Sequence, residues 1–387
     1  MTPAARNAGA IGILDHWLGG QPLEAAYQGW ARGARYAGSS DRAAVRDLIY
    51  DAARRRRSYA ALGGSETGRG LVIGALRAAG IPTSDVFSGQ GHAPPPLSQE
   101  ELDLRRTPGR AEALDLPDWL IAPFEAALGP ETEQVLHLFR DRAQTHLRIN
   151  GRNGDRDQVI ARLAEAGVVA RPHPTVDTAV IVDEGGRRLP RSGVIDAGLA
   201  ELQDAASQRI VAWLCRDAPG RVLDYCSGAG GKALAFADMT GAEVVAHDIA
   251  PARMADLPAR AARAGVAIAT CATADLPRLK PFDLVFCDAP CSGSGTWRRD
   301  PEAKWRLTPE RLRGFAETQA EVLETATGLV AEGGSLAYAT CSVLREENEV
   351  RVEAFLRDTP GWRLADSLRI TPTEASDGFF VAVFRRV

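Results

Sequence analysis

Lysine is nearly missing from this 387-residue chain: of its 46 basic residues, only Lys232, Lys280 and Lys304 are not arginine. Such a bias follows from GC-rich coding and says little about function. A lysine that survives it marks a position where a compact ammonium is wanted rather than a planar fork. Cysteine is absent from the first 214 residues, and all six cysteines lie between Cys215 and Cys341. No CxxC pair occurs and no histidine stands at ligand spacing to a cysteine, which argues against a zinc site. A chain of this length does not depend on a disulfide framework. No apolar run approaches the roughly 18 residues of a membrane span. The opening MTPAARNAGAIGILDHWLGG lacks the apolar core of a signal peptide, so the expected location is cytoplasmic, with no membrane contact. The P-loop pattern GxxxxGK[ST] is also missing, which argues against NTP hydrolysis. A net charge of −4 excludes a global polycation, so any nucleic-acid surface is a local patch.

What is present is ordinary globular composition, 45% hydrophobic and 25% charged, at a length that suits two or three domains. Residues 1–82 read as helices, with Leu14, Trp17, Leu18 and then Val45, Leu48, Ile49, Ala52 recurring on one face. Ser40 or Asp41 is the expected cap of the second group. The run Arg54–Arg57 would wrap a helix completely and is expected to be exposed, as a solvated face or as an RNA phosphate contact. Residues 83–98 carry three consecutive prolines and read as a linker. Residues 99–200 read as a helical connector, with Trp119 and Phe124 turned inward, followed by a small α+β module. From 201 to 387, strands and helices alternate: RVLDY, EVVAHDI, AIATC, DLVFCDAP and SLAYATC predict a doubly wound, mostly parallel sheet.

The stretch RVLDYCSGAGGKALAFA takes a buried strand into Gly228, Gly230 and Gly231 and then a helix. Glycine lets backbone approach a ligand, and the helix start offers N–H groups to an anion. Asp248 ends the next strand, where an acid can hold two ribose hydroxyls, and Asp275 follows the third. Together they describe an adenosyl-ligand pocket at the carboxyl edge of the sheet. The fourth and fifth strands lead into Cys291, on a Gly/Ser loop, and Cys341. Two thiols at one sheet edge fit poorly with the usual role of cysteine as a small buried hydrophobe, the role expected of Cys215, Cys271 and Cys287.

From residue 199 onward the chain resembles the RNA 5-methylcytosine methyltransferases of the NOL1/NOP2/Sun family. The resemblance rests on ELQDAASQ (201–208), DYCSGAGGK (224–232), DAPCSGSGTWRRDPEAKW (288–305), YATCSVLREENE (338–349) and DGFF (377–380). It implies a Rossmann-like class I methyltransferase domain and S-adenosylmethionine as cofactor, with no metal. Cys341 is then the nucleophile, Cys291 aids product release, and Asp288 contacts the base beside the cofactor. Cys226, Ser227, Gly228, Ala229, Gly230, Gly231 and Lys232, with Asp248, Asp275 and Asp288, surround the cofactor. The family often has proline where Ala229 stands. The module at 145–200 resembles the family's RNA-recognition-like domain. The N-terminal helices resemble a shortened antitermination-factor-like (NusB-like) domain of the RsmB type.

The chemistry explains the thiols. Cytosine C5 is a poor nucleophile until a thiolate adds to C6 and makes it enamine-like. An acid near N3 stabilises the adduct. The resemblance implies RNA as substrate, small-subunit rRNA before tRNA, and the expected state is a monomer. Arg298, Arg299 and the 54–57 run are candidate phosphate contacts, and Trp297 is either a stacking platform for a flipped base or a core residue. The rivals are a DNA cytosine methyltransferase using Cys291 and a non-catalytic RNA-binding assembly factor. The TCS context of Cys341 speaks against the first, and the intact acids and thiols against the second.

Overall fold

Apolar positions at helical spacing build the first part of the chain. Helices Pro3–Leu18, Leu23–Gly33, Ser39–Arg54, Arg56–Gly63 and Gly68–Ala78 enclose a core that includes Ile13, Leu14, Val45, Ile49, Leu71 and Ile73. The computed structural model describes residues 1–104, 106–279 and 281–387. They form two units: Met1–Arg142 with Trp297–Arg306, and Ala143–Thr296 with Leu307–Val387.

In the helical unit, Ser39–Arg54 starts one residue before the expected cap. Gly38 is the N-cap, and Asp41 takes the third helical position, where its carboxylate accepts the Gly38 N–H at 3.2 Å. The stretch 83–98 is not a free linker, because Val86 and Phe87 are buried in the helical core. Residues 99–142 also pack within this unit. There Phe124 turns inward as expected, while Trp119 is half-buried and Leu120 takes the interior position.

The arginine run departs most from expectation. The helix breaks at Arg55, which caps one helix and precedes the next, so the four side chains do not radiate from one continuous rod. Arg54 is only 7% exposed and donates from Nε and Nη2 to the carbonyl of Arg298 at 3.2 and 3.0 Å. Arg55 pairs with Asp51 and Asp141. Arg56 pairs with Glu66 and lies against the rings of Trp17 and Trp305. Arg57 pairs with Asp118 at 2.7 Å. These guanidinium groups hold the unit together rather than forming a phosphate patch. Arg298 is itself buried.

Trp297 is 1% exposed and packs against Phe124 and Phe139, with ring centroids 5.5 and 6.2 Å away. It is a core aromatic, closed to a base. Nearby Lys304 is buried, its Nζ donating to the carbonyl of Arg54 at 3.2 Å. Burial pushes its pKa down to about 7 against the pull of Asp115.

The second unit begins with a four-stranded antiparallel sheet of order β2-β3-β1-β4: β1 Thr145–Ile149, β2 Val169–Pro172, β3 Ala179–Glu184 and β4 Ala200–Leu202. Helix Arg156–Glu165 buries Val159 and Leu163 against it. This is the α+β module of the sequence reading. Arg148 pairs with Asp238 at 2.7 Å, and Asn150 donates to the carbonyls of Gly198 and Ala264, so the module is fastened to the layer that follows.

That layer is a seven-stranded sheet of β5 Arg221–Asp224, β6 Glu243–His247, β7 Ile268–Cys271, β8 Phe282–Asp288, β9 Val330–Thr340, β10 Trp362–Ile370 and β11 Phe379–Arg386. Its order is β10-β11-β9-β8-β5-β6-β7. Strands β5 to β9 pair in parallel, and β11 runs antiparallel to both β9 and β10. The chain leaves β5 towards β6 and later returns to β8 on the other side. The carboxyl ends of β5 and β8 therefore form the switch point where such sheets bind ligands. The doubly wound, Rossmann-like arrangement is the expected one. The hairpin β10–β11 is an addition; the run Phe379–Phe384 is buried throughout because helices cover both faces of β11.

Trp297→Ala opens a cavity between Phe124 and Phe139. The expected destabilisation of the helical unit is about 3–5 kcal/mol, read as an earlier transition in urea followed by tryptophan-independent circular dichroism.

Candidate active site

Strand β5 ends at Asp224 and the chain turns through Tyr225 to Gly230 into helix Gly231–Thr240. Gly228 and Gly230 take φ of +54° and +80°, values that side chains disfavour. The loop is tied to β6: Ser227 N–H donates to the carbonyl of His247 at 2.8 Å, and Gly228 N–H donates to Asp248 Oδ2 at 2.8 Å. Asp248 Oδ1 accepts the Ala250 N–H at 2.9 Å, and Arg253 reaches Oδ2 at 3.1 Å. Asp248 thus shapes the glycine loop as well as standing at a strand end. Asp275 closes the short turn after β7, half-exposed, and pairs with Arg278 at 3.6 Å.

Across the switch point, Asp288 ends β8 and its Oδ2 accepts from Lys232 Nζ at 2.7 Å. Lys232 also lies over the ring of Phe379, 5.1 Å from its centroid. Burial works against the Lys232 ammonium, but Asp288, with Cys341 and Asp224 behind it, outweighs burial and keeps its pKa above the usual lysine value. Lys232, one of the three lysines, is thus held as a cation beside Asp288.

The two thiols meet. Parallel pairing of β8 with β9 places Asp288 opposite Ala339, and the loops that follow bring Cys291 Sγ within 3.4 Å of Cys341 Sγ. The loops touch through backbone: Gly295 N–H donates to the carbonyl of Cys341 at 2.9 Å, and Gly378 N–H donates to the carbonyl of Gly295 at 2.9 Å. A Cβ on Gly295 would lie 2.5 Å from the Gly378 oxygen, so only glycine allows this approach. The hydrogen bond with Cys341, then burial, push the Cys291 thiol well above its ordinary value. Cys226, half-buried under the glycine loop, is also raised, by burial and by the surrounding acids.

Three features of the site were not singled out in the sequence. Asp224 is 1% exposed, and neither of its carboxylate oxygens has a hydrogen-bond partner among the described residues. Burial, opposed by Lys232 and reinforced by Asp288, pushes it up to about 7. Ile249, beside Asp248, is 84% exposed. Glu347 and Asn348 are buried behind the two thiols. An acid ending a buried strand immediately before a glycine turn was the available signal for Asp224. A consecutive Glu-Asn after TCS was the signal for the other pair.

Comparison with known proteins places this geometry. Residues 211–385 match the 16S rRNA methyltransferase RsmB/F family, and residues 116–187 match an RsmF/B-like ferredoxin-like domain. The chain is 32% identical over 301 residues to ribosomal RNA small subunit methyltransferase B of Vibrio cholerae, covering 74% of this chain and 69% of that protein. This chain belongs to the RsmB/F methyltransferases. The family is that of the NOL1/NOP2/Sun motifs quoted above, and S-adenosylmethionine is its cofactor. The enzyme of the same name from Salmonella arizonae is 31% identical over 281 residues, 69% of this chain and 65% of that one. Among solved structures, PH0851 shares the fold at a TM-score of 0.79 and 22% identity, over 100% of this chain and 99% of that chain. A methyltransferase homolog from Pyrococcus horikoshii does so at 0.62 and 21%, over 75% and 100%.

The RsmB/F chain has residues that fit the cofactor. The orphaned Asp224 carboxylate lacks a cationic partner of the kind an amino-acid ammonium provides, and an exposed isoleucine beside a strand-end acid suits the face of a purine. Among the described residues no helix is long and apolar enough to cross a membrane.

Asp224 in the unfolded chain loses its proton near 3.8, and in the folded chain near 7. Its contribution to stability is complete below the first value and is lost as pH rises through the second. Asp224→Asn removes that loss. At pH 8 the free protein is expected to melt at a higher temperature, while S-adenosylhomocysteine binding, measured by titration calorimetry, weakens at least tenfold.

Proposed function

We propose that this protein methylates C5 of a cytosine in small-subunit ribosomal RNA, through a transient bond between Cys341 and C6 of the base. The observation that carries the reading is the pair of thiols 3.4 Å apart at the switch point, beside the Lys232–Asp288 pair.

Each residue then has a task set by its surroundings. Cys341 reacts as its thiolate, with the Lys232–Asp288 pair beside it. That thiolate adds to C6, and electron density moves to C5 and N3. Asp288, held by Lys232, lies on the loop side where the base would sit, and would relay a proton from the Lys232 ammonium to N3 as negative charge develops there. S-adenosylmethionine supplies an electrophilic methyl group. Product release requires a solvent base to take the C5 proton as the C6–S bond breaks, its electron pair leaving with Cys341 as thiolate. Because its pKa is held high, Cys291 stays a thiol and donates a hydrogen bond to the departing sulfur. The glycine loop from Cys226 to Lys232, with Asp248 and Asp275, would cradle the cofactor.

The family's name and the relatives named as small-subunit enzymes support rRNA over tRNA as substrate. The cytosine and the adduct are supported by the thiol pair. Base access requires the target to leave its stack. The buried Arg54, Trp297 and Arg298 take no part in gripping RNA.

Substituting each cysteine separately tests the assignment. With a 16S rRNA transcript and cofactor, Cys291→Ala is expected to accumulate a protein–RNA adduct stable to denaturing electrophoresis. Cys341→Ala is expected to form none and to incorporate no labelled methyl. The reverse pattern would make Cys291 the nucleophile.

A further inference from the structure

Strand pairing brings the two cysteine loops to the same sheet edge but does not fix the distance between their tips. A residue outside the quoted catalytic set does so. Glu347 is fully buried. Its Oε1 accepts the Ser292 N–H at 2.8 Å and Gln319 Nε2 at 3.2 Å, and its Oε2 accepts the Ser292 hydroxyl. Gln319 also donates to the carbonyl of Pro290 at 2.9 Å. Residues on both sides of Cys291 are therefore held from one carboxylate.

The next residue does the same for the other thiol. Asn348 Nδ2 donates to the carbonyl of Ser342 at 2.9 Å, and its Oδ1 accepts the Thr340 hydroxyl at 2.6 Å. These are the two neighbours of Cys341. The Tyr338 hydroxyl donates to the carbonyl of Glu347 at 2.6 Å, which anchors the pair to β9. The hydroxyls of Ser294 and Ser342, 2.8 Å apart, join the loops directly.

We infer that Glu347 is a positioning residue that sets the spacing of the two thiols, by gripping the Cys291 loop from a backbone whose next residue grips the Cys341 loop. A buried carboxylate is costly to desolvate, and an apolar residue of that size would fill the space more cheaply. The three hydrogen bonds that Glu347 accepts, two of them from the Cys291 loop, explain why a carboxylate stands there instead. Glu347 touches no reacting atom and acts only through the loops.

The kinetic part of the test rests on the function proposed above; the chemical part does not. In the first, Glu347→Gln is expected to lower kcat for RNA methylation, per folded protein measured by circular dichroism, at least tenfold while leaving KM for S-adenosylmethionine within twofold. In the second, diamide without RNA or cofactor oxidises the two thiols to a disulfide and is itself reduced to the hydrazine. The Cys291–Cys341 cross-link, read by peptide mass spectrometry, is expected to form at least tenfold more slowly in Glu347→Gln. Ser292→Ala, which removes one donor and keeps the carboxylate, is expected to slow it about threefold, and serves if the first variant does not fold. Cross-linking at the wild-type rate in the folded variants overturns the inference whatever the RNA assay gives. Slowed cross-linking with a wild-type protein inactive on RNA would leave the inference standing and refute the function.

Discussion

The parallel pairing of β8 with β9 is the constraint on which the site depends. Neighbouring parallel strands end at the same edge, and these two deliver Asp288 and Ala339 side by side. Everything reactive follows within three residues of those positions. A one-residue slip of register would turn Asp288 away from Lys232 and separate the cysteines. That register is held by burial: Val285, Cys287, Leu336 and Tyr338 face one apolar layer, and Leu284, Phe286, Ala337 and Ala339 the other. The core thus positions the chemistry by forbidding the alternatives.

Around that edge the protein collects buried and half-buried charges. Asp224 is unpartnered, Lys232 and Asp288 satisfy one another, and Glu347 is satisfied by neutral donors. Only the first is left open, and it lies where the chain turns into the glycine loop. A fold optimised for stability alone would neutralise such a group; retaining it is reasonable where a ligand brings the missing cation. The satisfied groups hold shape.

Much of this was legible in the residues. The glycine turn, Asp248 at its strand end and the two cysteines are short local signals whose meaning depends little on distant contacts. The α+β module and the alternating strands were legible for the same reason. The run Arg54–Arg57 was misread because its exposure depends on a helix break at Arg55 and on acids from 51 to 141, none of which periodicity reveals. Trp297 lies beside the Cys291 loop in sequence but packs on Phe124 and Phe139, far along the chain. The hairpin β10–β11 went unplaced because the β11 strand is apolar on both faces and lacks the alternation that marks a half-buried strand.

The helical unit is discontinuous in sequence, since its core takes Trp297 and its buried polar centre takes Lys304, both from a segment that returns after the Cys291 loop. During synthesis the first 142 residues emerge long before that segment, so this unit waits, with Phe124 and Phe139 uncovered, until most of the second has been translated. The second unit in turn needs Leu307–Val387, so neither unit is complete before the other has largely been made. A single cut after Arg142 would leave the N-terminal helices without Trp297 and Lys304.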